Sequence, residues 1–170
     1  MNGFTESGIT LNFPTNTWFR LQDCKTYKDN SGYHFKEMDA CWLDAENSIF
    51  YLIELKDFTN ASLENQQNIE QRVRDMVKKS IDSLQMINAT LLSTKKGIQF
   101  QSEIPCPLSQ STTYKYISII KIKEEQKGYL NTIKDQYNNS FKAYADLFDI
   151  RHYSVISYEA AKKYFSTFVE

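Results

Sequence analysis

The sequence predicts an α/β domain with a mixed central sheet flanked by helices, and three observations carry that prediction. Residues 49–58, reading IFYLIELKDF, are apolar on both faces apart from one polar interruption, as in a central strand. The apolar residues Ile69, Val73, Met76, Val77, Ile81, Leu84, Ile87 and Leu91 then recur at spacings of three and four, the signature of one long amphipathic helix. Several extended segments precede that helix, and after it strands and helices alternate. Helical crossovers usually join parallel strands, so the sheet is expected to be mixed.

Taken in order, residues 8–13 alternate apolar and polar and read as a strand. Pro14 and Asn16 mark a turn, and residues 18–23 form a second short extended piece. Residues 29–32, DNSG, are a dense turn signal, so 25–28 and 33–36 are read as arms of a hairpin whose second strand continues to about Leu43. After the polar break at 44–48 comes the strand 49–58. Ser62 is a suitable N-cap for the long helix, which runs to about Leu92. Residues 93–113, with Gly97, Pro105 and Pro107, read as a loop. A strand over 114–123, a helix over 129–148, a short strand over 151–157 and a closing helix over 158–168, capped by Ser157, complete the chain.

A chain of 170 residues fits one domain, taken as 1–170, and can bury a core without disulfides or a structural metal. Its 41% hydrophobic and 24% charged residues are ordinary for a globular protein, and 14% aromatics predict a ring-rich core. The formal net charge of -1 counts against a protein that coats nucleic acid, while leaving room for an enzyme with a local basic rim. Cys24, Cys41 and Cys106 are scattered, with no paired spacing, and His34 and His152 lie far apart, so no structural zinc site is expected. Unpaired thiols point to a reducing compartment, hence the cytoplasm, and make the sequons at Asn60, Asn88 and Asn138 chance matches. Neither a signal-peptide pattern nor an apolar run of membrane-spanning length is present, so no membrane partner is expected.

The stretch that carries chemistry is residues 36–43, KEMDACWL, followed by a turn and then 51–56, YLIELK. Alternate strand residues share a face, so Glu54 and Lys56 point one way while Ile53 and Leu55 point the other. A carboxylate and an ammonium inside an apolar strand are costly unless they neutralise each other or perform a task. If the segment holding Asp39 pairs beside this strand, its carboxylate reaches the face of Glu54. Glu37 and Asp44 are the rival carboxylates, because a register shift of one residue swaps faces. Two carboxylates and a lysine suit phosphodiester hydrolysis. Hard oxygen ligands favour Mg²⁺ or Mn²⁺, and a lysine can orient the attacking water and offset developing charge.

An acidic residue, a turn, then two hydrophobic residues with Glu-x-Lys and a following helix resemble the PD-(D/E)xK superfamily of restriction endonucleases, junction resolvases and repair exonucleases. The resemblance covers residues 17–123 and implies a restriction-endonuclease-like core. It implies that Asp39, Glu54 and Lys56 are catalytic, with Asp39, Glu54 and the main-chain carbonyl of Leu55 as metal ligands. Met38 stands where many members carry proline, and residues 1–7 are too few for the helix that usually opens the core. Gln66 is a candidate contact to the site because some relatives use a glutamine on this helix. Lys36, Arg74, Lys78 and Lys79 are candidates for a basic rim, against the ordinary reading of solvated helix charges.

The expectation is therefore a Mg²⁺- or Mn²⁺-dependent nuclease, with DNA favoured over RNA. The alternatives are a non-catalytic nucleic-acid-binding or protein-interaction subunit that retains the fold, and an enzyme acting on another phosphate substrate. One small domain grips a duplex weakly, which favours a homodimer or a partner protein.

Overall fold

A computed structural model describes residues 2–170. The main sheet has five strands in the order β3-β4-β5-β6-β7: β3 (Trp18–Phe19), β4 (Ala40–Asp44), β5 (Ile49–Asp57), β6 (Thr113–Lys121) and β7 (His152–Ser157). β3, β4 and β5 form an antiparallel run, and β6 and β7 are parallel to β5 and to each other. The sheet is thus mixed, with the apolar strand β5 at its centre.

Long helix α2 (Gln66–Leu91) returns the chain from β5 to β6, and α4 (Tyr129–Leu147) returns it from β6 to β7. Both cover one face of the sheet. Phe50, Leu52, Tyr116 and Ile120 meet Val73, Met76, Ile133, Tyr137 and Phe141 there. The opposite face carries Tyr51, Ile53, Leu55, Ile117 and Ile119, which pack on a hairpin of β1 (Asn2–Glu6) and β2 (Ile9–Phe13). The hairpin turn is Ser7–Gly8, with φ of 53° and 65°, the left-handed pair that a two-residue hairpin of this twist requires. Residues 2–13 therefore build a cover for the sheet, in the place where an opening helix was looked for.

Four expectations need correction. Residues 25–31 form helix α1 (Lys25–Ser31) between β3 and β4 and are no hairpin arm. The DNSG run is the end of that helix, with Gly32 at its C-cap. What favours helix is a distant group: the Glu103 carboxylate accepts from the Thr26 backbone N–H and from its hydroxyl, both at 2.9 Å, serving donors that α1 leaves free. The long helix begins at Gln66, capped by the Asn65 side chain and not by Ser62. The stretch read as a loop contains helix α3 (Lys95–Glu103), capped by Thr94. The closing helix α5 (Tyr158–Tyr164) stops early: the chain turns through 166–168, and Val169 and Glu170 then pair along β2.

The joint between α2 and α3 depends on Gly97. A Cβ there would stand 1.9 Å from the Ala89 carbonyl oxygen and 2.6 Å from the Thr90 nitrogen, both backbone atoms that cannot yield cheaply. Gly97→Ala should destabilise the protein by about 1–3 kcal/mol, read as a lower urea midpoint, even though alanine is the better helix former. An unchanged midpoint would mean that the joint is looser than this contact implies.

Candidate functional site

The site lies on the α2-covered face of the sheet, and its geometry starts from the chain just before β4. The Lys36 N–H donates to Asp82 at 2.8 Å and the Met38 N–H to the Ser83 hydroxyl at 2.9 Å, so residues 36–38 are laced onto α2. At Asp39 the chain reaches the sheet, and its carboxylate takes over where backbone pairing with β5 stops. Oδ2 accepts from the Leu55 N–H at 2.7 Å. Register puts Ala40 opposite Ile53, so Asp39 comes level with Glu54.

Glu54 is fully buried in the middle of β5. Lys79 reaches down from α2 between the two carboxylates. Its Nζ lies 3.0 Å from Asp39 Oδ1, 2.9 Å from Glu54 Oε1 and 3.1 Å from Glu54 Oε2. Lys56, two residues along β5, brings its Nζ to 2.5 Å from Glu54 Oε1. Both ammonium groups are thus within ion-pair distance of Oε1. The Lys56 side chain keeps 26% of its surface exposed and that of Glu54 1%, so the lysine occupies the solvent edge and the carboxylate the floor.

The wall behind Glu54 is polar and close-packed. Ser118 on β6 sits beside Glu54 in register, with its hydroxyl buried. The hydroxyls of Ser80, next to Lys79, and Tyr137 on α4 are 2.8 Å apart and buried. Because Ser80 donates to the Met76 carbonyl, Tyr137 is the donor to Ser80.

Burial, with help from the Asp39 charge, pushes Glu54 up to about 7, against the pull of Lys79 and Lys56. Burial works against a charged Lys79, but Glu54 and Asp39 outweigh it and hold its pKa above the ordinary lysine range. An acid whose pKa is higher folded than unfolded binds its proton more tightly in the native state. Its contribution is therefore fully present below the ordinary value of 4.5 and is lost as pH rises through about 7. Relative to Glu54→Gln, the parent should lose on the order of 3 kcal/mol of stability across that window. Urea titrations of both proteins on either side of it provide the measurement, and a pH-independent difference would rule out the raised pKa.

The structure brings Asp39, Glu54 and Lys56 together, and adds Lys79. It does not bring in Gln66, which is exposed at the start of α2, bonded to Glu70 at 3.1 Å. Lys79 lies thirteen positions further along the helix, or about 20 Å along the axis. Lys36 pairs with Asp75 at 3.1 Å and Lys78 with Asp82 at 2.7 Å, while Arg74 is exposed farther back along α2. The rival carboxylates are engaged elsewhere: Glu37 with the Tyr27 hydroxyl, and Asp44 with Asn47 in the β4–β5 turn. The Leu55 carbonyl accepts from the Ser7 hydroxyl at 3.1 Å.

Lys79 was legible only as a helix charge. Its hint is position: it falls three residues after Met76 and four before Ser83, on the flank of the sheet-facing stripe. Among the described residues, no third Asp, Glu, His or Cys joins the two carboxylates. The donors that could meet a hard divalent cation are therefore Asp39, Glu54 and the main-chain oxygen of Leu55, with water completing the shell. All are oxygen, so the donor chemistry fits Mg²⁺ or Mn²⁺.

No protein-family model matches the chain, and no curated protein or solved structure matches it. Among the described residues, no helix is long and apolar enough to cross a membrane.

Proposed function

We propose that this chain is a metal-dependent nuclease of the PD-(D/E)xK kind that hydrolyses phosphodiester bonds, with DNA the favoured substrate. The observation that carries this reading is the meeting of Asp39, Glu54 and Lys56 at one buried spot on the central strand. The three-strand antiparallel run, long helix and parallel strand that frame the site are the arrangement a restriction-endonuclease-like core would need.

In this reading Asp39 and Glu54 are the residues that would hold the cation. Mg²⁺ or Mn²⁺, when bound, supplies Lewis-acid polarisation of the phosphoryl group. Lys56, at the solvent edge, orients the attacking water toward phosphorus and offsets the negative charge that develops on the phosphoryl oxygens. The Asp39–Leu55 N–H bond fixes the carboxylate against β5, so little reorganisation is needed at the moment of reaction.

The test is cleavage of labelled single- and double-stranded DNA and RNA in Mg²⁺, in Mn²⁺ and in EDTA. Cleavage that needs the ion and disappears in Glu54→Gln and Lys56→Met is expected. Cleavage in EDTA, or unchanged in both variants, would sink the proposal. A specific observation favours a second reading: two carboxylates facing two ammonium groups form a charge-closed quartet, which suits a non-catalytic subunit that keeps the fold. Nucleic-acid binding without cleavage in any ion would favour it.

A further inference from the structure

We infer that Lys79 is a displaceable internal cation: it occupies the space between Asp39 and Glu54, and a divalent ion binds only when its ammonium swings out. This inference rests on the metal-centred reading above and specifies how the ion gains entry. Nζ of Lys79 lies within 3.1 Å of three carboxylate oxygens, from both residues that would hold the ion. An ion held by both carboxylates would need the gap between Asp39 and Glu54 that the Lys79 ammonium fills, whereas Lys56 approaches Glu54 alone from the solvent edge. Charge leads to the same conclusion. Asp39 and Glu54 carry two negative charges when ionised, Lys56 and Lys79 two positive, so a dication added to the closed quartet would be in excess.

The lysine has somewhere to go. Asp75 is four residues earlier on α2, the acid-before-lysine spacing that favours an ion pair on a helix surface. Its carboxylate is half exposed and at present pairs with Lys36 across the surface. Rotation of the four-carbon stem of Lys79 would exchange the buried carboxylates for this exposed one. The carboxylate oxygens that Lys79 leaves behind would then face the incoming ion. The released ammonium would stand at the rim of the site, where a phosphate oxygen of the substrate could meet it.

The probe is Mn²⁺ alone, titrated into the full chain near neutral pH and followed through the resonance signal of the free ion. Lys79→Met should bind Mn²⁺ at least about tenfold more tightly than the parent, and Lys79→Met combined with Glu54→Gln should bind weakly. Equal affinity in parent and Lys79→Met would overturn the displacement. Absence of binding in every protein would overturn the metal-centred reading itself, and the displacement with it. Asp75→Asn should weaken binding, and parent-like affinity there would remove Asp75 as the landing point.

A second measurement needs no variant. Amine-directed labelling of the parent, resolved by peptide mass, should modify Lys79 several-fold faster with Mn²⁺ than without it. Unchanged or slower labelling would overturn the displacement even if Lys79→Met failed to fold.

Discussion

Glu54→Gln is expected to lower metal-dependent cleavage by at least about a thousandfold while the protein remains folded. The substitution keeps the shape of the side chain and removes its charge at a position with no exposure at all. A neutral amide is a poor ligand for a hard dication and leaves Lys56 without its partner at 2.5 Å, so on the proposed mechanism both metal affinity and water orientation should suffer. Folding should tolerate the change, because burial makes the ionised carboxylate the costly form near neutral pH. Lys56→Met should behave differently. It leaves both carboxylates in place to hold an ion, so the loss should fall on kcat at saturating Mg²⁺. Steady-state kinetics with the two variants separate these roles, and a Glu54→Gln protein within tenfold of the parent would remove Glu54 from the chemistry.

Phe141→Ala should destabilise the protein by about 3–5 kcal/mol, the largest effect on folding expected here. Phe141 is completely buried on α4, with its ring 5.3 Å from that of Tyr116, 5.8 Å from Tyr137 and 5.5 Å from Tyr153. Truncation opens a cavity where α4 meets β6 and β7, and three rings lose their common neighbour. The consequence reaches the site: Tyr137 donates to Ser80, and Ser80 directly follows Lys79 on α2. Urea unfolding of the parent and the variant measures the effect. A loss below about 1 kcal/mol would mean that the surrounding rings collapse into the space.

The elements that the sequence announced were those with strong periodicity or composition. β5 was legible because a strand buried on both faces must be apolar throughout, and Tyr51, Ile53 and Leu55 indeed face one layer while Phe50 and Leu52 face the other. α2 was legible because its stripe repeats over about six turns. The alternation of strand and helix after β5 required parallel strands. Helix α1 was not legible, because seven residues cannot hold a helix alone and the Glu103 group that serves its first turn lies 77 residues away. Helix α3 was hidden by Gly97, read as a loop residue, though it stands there because the end of α2 leaves no room for a Cβ.

The site divides along the same line. Sequence determined that Glu54 and Lys56 share a face of an apolar strand, since the period of a strand is two, and that Asp39 was the candidate to join them. Tertiary structure decided that Asp39 and neither Glu37 nor Asp44 reaches Glu54, that Gln66 stays far away, and that Lys79 closes the cluster from above. Local periodicity is written in the order of residues, whereas which helix turn lies over which strand depends on packing across the sheet. Lys79 meets Glu54 because α2 lies across β5 at that turn, and no spacing in the sequence states where the crossing falls.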